Sequence, residues 1–210
     1  SLGVPPSCPV SFISSIYQGM ADLAKKFNVC IVGGDTVKSD KIILNVTLAG
    51  EVSKGELIYR KGASRGDHIF VTGPLGRSLS SGWHARFTPR IAQSQFLVRQ
   101  CKPSAMIDIS DGLAADLGHI LEKSRVGAVL DECLIPRRRK ASLNNALYDG
   151  EDFELLFTVS PSKARKLQKS AAQKFSFNRI GEIVDHKKGL RLRTSDGKLK
   201  VIDKKGYTHF

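Results

Sequence analysis

Two carboxylates and a hydroxyl fall close together at Asp108, Ser110 and Asp111, within Ala105-Met106-Ile107-Asp108-Ile109-Ser110-Asp111-Gly112-Leu113. The apolar residues before them read as a buried strand, and the residues from Gly112 onward as the start of a helix. The first backbone N–H groups of a helix have no internal partners and carry partial positive charge, so an anion is stabilised there. Magnesium prefers one or two carboxylates together with phosphate oxygens and water to an all-protein cage. The stretch would therefore suit a metal-bound phosphate. Taken alone, Ser110 or Asp111 is also what an ordinary helix N-cap looks like.

Two further turns carry the same residue types. Gly33-Gly34-Asp35-Thr36 follows the apolar run Val29-Cys30-Ile31-Val32, which reads as a buried strand, and Asp149-Gly150-Glu151-Asp152 introduces the strand Phe153–Val159. Glycine and aspartate are common turn formers. Three such turns beside apolar strands, in a chain of net charge +13, point to metal ions held between protein and polyphosphate.

The elements that must position these turns follow from periodicity. Ile13, Ile16, Tyr17, Met20, Leu23, Ala24 and Phe27 recur at three- and four-residue steps and predict an amphipathic helix. Residues 43 to 52 alternate as a half-buried strand should, and Ser53-Lys54-Gly55-Glu56 marks a domain boundary, giving domains 1–53 and 54–210. Beyond it, strands are expected at His68–Thr72, Ala105–Ile107, Val126–Leu130 and Phe153–Val159, with shorter ones at 175–184, 190–194 and 199–202. Helices are expected at Ile91–Val98, at Gly112–Lys123 and after Ser160-Pro161, an N-cap followed by proline at the first helical position.

With 210 residues and 41% hydrophobic content the chain can bury a substantial core. No apolar run approaches the roughly 20 residues of a membrane span, and the N-terminus lacks signal-peptide character, so the expected compartment is cytoplasmic. Cys8, Cys30, Cys101 and Cys133 form no Cys-x-x-Cys pair and read as buried or reduced thiols. Much of the positive charge lies in the second half, including Arg137-Arg138-Arg139-Lys140. Such runs are usually solvated faces, and no nucleic-acid-binding signature accompanies this one.

In their order along the chain, Gly33-Gly34-Asp35-Thr36, Arg60-Lys61-Gly62-Ala63, Val71-Thr72-Gly73, Ile107–Leu113, Gly150-Glu151-Asp152-Phe153-Glu154-Leu155 and Gly206-Tyr207-Thr208-His209-Phe210 resemble the thiamine-monophosphate kinase family. Its superfamily includes aminoimidazole ribonucleotide synthetase, selenophosphate synthetase and a hydrogenase-maturation protein. The resemblance implies an α+β fold of two mixed α/β layers of the aminoimidazole ribonucleotide synthetase type, with the first domain incomplete. Residues 1–53 would be the end of an ATP-binding and dimerisation domain. By resemblance, Gly34 and Asp35 contact nucleotide, Arg60 and Ser110 contact ATP, Asp35, Asp108 and Asp111 are magnesium ligands, and Glu151 and Tyr207 hold thiamine monophosphate. The implied reaction moves the γ-phosphoryl group of ATP onto thiamine monophosphate, with Mg2+ as cofactor and a homodimer as the working form. A phosphate monoester, with its second pKa at about 6, needs no general base, so no catalytic side chain is expected.

The sequence departs from the family pattern in places. Asp149 stands where the family usually has the first of two glycines, Val37 replaces a common threonine, and the segments 78–89 and 136–147 look short. The chain starts at Ser1, where relatives have already completed an N-terminal portion bearing further aspartates. Two other readings stay open at this point: another ATP-dependent enzyme of the superfamily, and a non-catalytic basic module that binds anions or nucleic acid.

Overall fold

In the computed structural model, which describes residues 1–171 and 174–207, the chain divides into two units, Ser1–Glu51 and Val52–Phe210.

In the first unit, β1 (Leu2–Val4) is the middle strand of a three-stranded sheet, parallel to β2 (Thr36–Lys38) and antiparallel to β3 (Ile43–Leu44). The helix α1 (Val10–Lys26) links β1 to β2. Ile13, Ile16, Met20, Ala24 and Phe27 are half-buried, the stripe expected from the spacing, while Tyr17 and Leu23 are exposed. The strand expected at Val29–Val32 does not form: the run is unpaired and Val32 is 96% exposed. The strand expected over 43–52 pairs only at Ile43 and Leu44, with Asn45 bonded to Ser1 beyond them, and Val46 and Leu48 are left exposed. The reason is the same in both places, since an apolar run becomes a strand only where a neighbouring strand accepts its backbone hydrogen bonds.

The second unit is a seven-stranded sheet covered on both faces. In chain order its strands are β4 (His68–Val71), β5 (Ala105–Asp108), β6 (Gly127–Asp131), β7 (Leu155–Val159), β8 (Asn178–Val184), β9 (Leu190–Arg193) and β10 (Leu199–Val201). In space they run β10-β9-β6-β8-β4-β7-β5, with β6 and β9 parallel and every other neighbouring pair antiparallel. The side-chain period of two divides each strand between two cores. Ile69, Val71 and Leu156 face α4 (Leu113–Ser124) and α5 (Leu143–Tyr148), packing with Leu113, Leu117, Ile120 and Leu147. Phe70, Phe157 and Val159 face α3 (Ile91–Gln100) and α6 (Pro161–Ala171), meeting Leu97, Ala164 and Leu167. Phe70 and Phe157 stack with ring centroids 5.4 Å apart.

Two short helices went unread in the sequence. The four-residue α2 (Ser78–Ser81) begins after Arg77, which has a left-handed φ of 60°. The other, α5, has a capping box: Asn145 N–H donates to Ser142 Oγ, and Ser142 N–H donates to Asn145 Oδ1. Among the described residues, no helix is long and apolar enough to cross a membrane.

All four cysteines are free thiols, as expected: Cys101 is buried, Cys8 half-buried, and Cys30 and Cys133 are exposed. Burial pushes the Cys101 thiol up to about 11. Alkylation at about pH 8 therefore modifies Cys30 and Cys133 in the folded chain and Cys101 only after denaturation. Peptide mass spectrometry checks this, and labelling of native Cys101 at the rate of the other two would contradict the packing of α3.

Candidate active site

The edge strand β5 carries the site. Its pairing with β7 brings Asp108 opposite Leu155, and the hydrogen bonding continues beyond the strand ends. Ile109 N–H donates to Glu154 O at 2.8 Å, Phe153 N–H to Ile109 O at 2.8 Å, and Glu151 N–H to Ser110 O at 2.7 Å. The turns 108–112 and 149–153 are thus one backbone construction. Gly150, at φ +72°, lies against it so closely that a Cβ there would stand 2.6 Å from Ser110 O.

The C-terminal segment closes on the same turn. Tyr207 N–H donates to Asp111 O at 2.8 Å, and a Cβ at Gly206 would meet Asp111 O at 2.2 Å, which only glycine avoids. The structure therefore brings Ser110, Asp111, Glu151 and Tyr207 together around one turn, with Asp108 at the end of the strand that leads into it. Residues 208–210, the end of the terminal motif, lie outside the described residues. On the other side of β5, Met106 N–H donates to Tyr59 O at 3.0 Å, which sets the exposed Arg60 beside that edge. In the first unit, Gly34 and Asp35 are exposed, and Asp35 Oδ1 accepts the Thr36 N–H at 2.8 Å.

The ordinary N-cap role for Ser110 or Asp111 is not what the structure shows. Gly112 is the N-cap of α4, at φ 115°, with no side-chain cap hydrogen bond. Nor are the amides of this turn open. Asp116 reaches back from the first turn of α4, and its Oδ2 accepts the N–H groups of Ser110, Asp111 and Gly112 at 3.0, 3.0 and 3.1 Å. Asp116 is 1% exposed, and burial pushes its carboxyl up to about 6, with the charges of Asp111 and Asp108 adding to the rise. Sequence reading missed it because an Asp in a first helical turn is unremarkable; the usable signal was its distance of four residues from Gly112. His119 lies about one turn further along α4. One ligand atom from each of Asp111, Asp116 and His119 fits within 4.8 Å.

A cavity of about 600 Å³ opens beside Tyr207, lined also by Arg77, Ser80, Asn145, Tyr148 and Asp149. Asp149 needs no glycine-like conformation, since its φ is −67°. Its carboxylate accepts the Arg77 N–H at 2.8 Å and an N–H of Asn145 Nδ2 at 3.3 Å, so the departure from the family pattern costs no backbone strain.

Two motifs fill structural roles behind the site. Thr72 Oγ1 donates to Glu154 Oε2 at 2.6 Å, and the Glu154 carboxylate lies where a Cβ on Gly73 would be. The N–H groups of Gly62 and Ala63 donate to Ser124 Oγ, and a Cβ at Gly62 would stand 2.4 Å from Ser104 O.

With this geometry in view, comparison with known proteins is direct. The family profile described as AIR synthase related protein, N-terminal domain, matches residues 1–52, and the corresponding C-terminal domain profile matches residues 85–192. These define the class. The thiamine-monophosphate kinase of Bacillus subtilis (strain 168) is 33% identical over 239 residues, spanning 100% of this chain and 73% of that protein. A crystal structure of the thiamine-monophosphate kinase from Stenotrophomonas maltophilia K279a is 27% identical, with a TM-score of 0.75, covering 94% of this chain and 71% of that one. AaThiL complexed with AMPPCP and TMP shares the fold at 24% identity and a TM-score of 0.74, over 100% of this chain and 72% of its own. The chain belongs to the thiamine-monophosphate kinase family.

Replacing Asp116 by alanine would leave three amides at the turn without their acceptor. The expected loss is about 1–3 kcal/mol of unfolding free energy, read from urea denaturation. An unchanged midpoint would show that Asp116 does not hold this turn.

Proposed function

We propose that this chain phosphorylates thiamine monophosphate to thiamine diphosphate at the expense of ATP, by direct in-line transfer in the cytoplasm. Family membership across the whole chain supports the activity, and AaThiL, which binds AMPPCP and TMP, supplies the ligand classes. The observation that carries the reading is the meeting of Ser110, Asp111, Glu151 and Tyr207 on one backbone construction beside a cavity of about 600 Å³.

In this reading Arg60 and Ser110 contact ATP and Glu151 and Tyr207 hold the acceptor; within the first unit, Gly34 and Asp35 form a nucleotide-contacting turn. The acceptor phosphate is largely dianionic at neutral pH and attacks without a base. What the chain must supply is alignment and relief of repulsion between two polyanions. The donor set suits magnesium: Asp108 and Asp111 offer hard carboxylate oxygens, and both repel the neighbouring carboxylate of Asp116. Asp108 and Asp111 would hold the metal, and Asp35 of the first unit is read by itself as a magnesium ligand. When bound, magnesium neutralises phosphate charge as transfer proceeds.

Arg138 favours this reading over a basic binding module, since it is drawn inside to pair with Asp152 and so interrupts the run 137–140 as a solvated surface. The first unit exposes Phe12, Ile43, Leu44, Val46 and Leu48, and a homodimer that covers this apolar surface is the working form we propose. The chain is then expected to sediment as a species larger than one protomer; a clean monomer at micromolar concentration would oppose this.

The decisive assay is formation of thiamine diphosphate from thiamine monophosphate, ATP and magnesium. Product is expected from the chain as it stands, falling at least about tenfold with Asp111→Asn, which removes one negative charge from the metal-holding set. No product from the unaltered chain, or full activity in the variant, would count against the proposal.

A further inference from the structure

Glu151 and Phe153 both have left-handed backbones, at φ 53° and 51°, on either side of Asp152. Neither is glycine, so each conformation costs about 1–3 kcal/mol and persists only where its surroundings over-determine it. The surroundings here are specific. The Asp152 carboxylate accepts the Gly76 N–H at 3.1 Å to each oxygen and forms a short ion pair with Arg138 Nη1. The Arg138 guanidinium lies over the Trp83 ring, 4.7 Å from its centroid, and Trp83 Nε1 donates to Asp152 O at 2.9 Å. Arg90 approaches the same ring at 5.6 Å and grips Glu154 with two hydrogen bonds, of 2.8 and 2.6 Å. Ser78 Oγ donates to Glu151 O. Phe87 stacks on Phe153 with centroids 4.4 Å apart.

Burying such charges is not an efficient way to stabilise a fold. A buried ion pair roughly breaks even against apolar residues of similar size, and its value here lies in fixing geometry. We propose that Arg138 and Asp152, clamped on Trp83, are positioning residues that hold the Gly150–Phe153 turn in its left-handed conformation and so present Glu151 to the substrate. The functional half of this inference rests on the reading of Glu151 as a thiamine monophosphate contact. Arg138 touches no reacting group and acts through Asp152. The clamp also joins the segment 136–147 to the segment 78–89, so the two short segments become the supports of one turn.

The test compares the unaltered chain with Arg138→Met/Asp152→Asn and with Arg138→Lys. The double substitution removes both charges together and so avoids stranding one in the interior. Arg138→Lys keeps the charge but loses the planar fork and the stacking surface, and serves if the double variant does not fold. The readouts are the unfolding temperature, amide hydrogen exchange at Glu151 and Phe153, and the calorimetric Kd for thiamine monophosphate and for ATP. At an unfolding temperature close to that of the unaltered chain, exchange at both amides is expected to rise about tenfold and thiamine monophosphate to bind about tenfold more weakly, with ATP affinity unchanged. Exchange that stays at its original rate, or faster exchange with unaltered thiamine monophosphate affinity, would overturn the inference. If the unaltered chain binds no thiamine monophosphate, the functional reading fails, and exchange alone still decides whether the clamp holds the turn.

Discussion

Everything at the site depends on hydrogen bonding that runs past the ends of β5 and β7. The ladder between the two strands continues through Ile109 to Glu154 and Phe153, then through Ser110 to Glu151. Strand pairing normally sets register and little else. Here it fixes the metal-type acids and the proposed substrate turn to one another, because neither turn can shift without breaking bonds of the other. Gly150 and Gly206 serve the same constraint, since any side chain would force the backbones apart at Ser110 or Asp111. The apolar packing of α4 and α5 against the sheet then makes this doubled turn the rigid rim of a core rather than a pair of loose loops.

The acidic groups fall into two kinds, and the difference is where their charge is met. Asp152 and Glu154 are fully buried and answered by Arg138 and Arg90, both of whose guanidiniums lie near the Trp83 ring. Burial pushes the Asp152 carboxyl up to about 6, while the Gly76 N–H and Arg138 pull the other way. Asp108, Asp111 and Asp116 form the second kind, and the charges that bear on Asp116 from this group only repel it. That repulsion is what a cationic ligand would relieve.

How much of this could be read in the sequence follows from which interactions are local. Helix α4, the edge strand β5 and the Ser160-Pro161 start of α6 were legible, because periodicity and end signals lie within each segment. The strand expected at Val29–Val32 was misread, since its apolar composition says nothing of whether a pairing partner exists. Arg138 was hidden for the opposite reason: its neighbours Arg137 and Arg139 are exposed, and only contact with Asp152 sets it apart from them. Phe153, expected as the first residue of a strand, is held at positive φ by contacts from distant segments. Asp116 stood in plain view beside the motif, but its role depends on a backward reach that composition does not display.

Asp116 also changes the electrostatic logic expected of a strand-to-helix junction. Open amides at such a junction favour an anion, but here the amides of Ser110, Asp111 and Gly112 are already directed at an internal carboxylate. Their dipoles stabilise the charge of Asp116 and are withdrawn from any phosphate. In return, the Asp111 backbone is held from two sides, by Asp116 at its N–H and by Tyr207 at its carbonyl. The junction gives up anion binding by amides for precise placement of a carboxylate. A phosphate drawn to this turn would then meet its positive charge elsewhere, on the cation proposed for Asp108 and Asp111 or on the proposed contact Arg60. The protein thus brings acids, rather than amides, to the place where polyphosphate is proposed to bind.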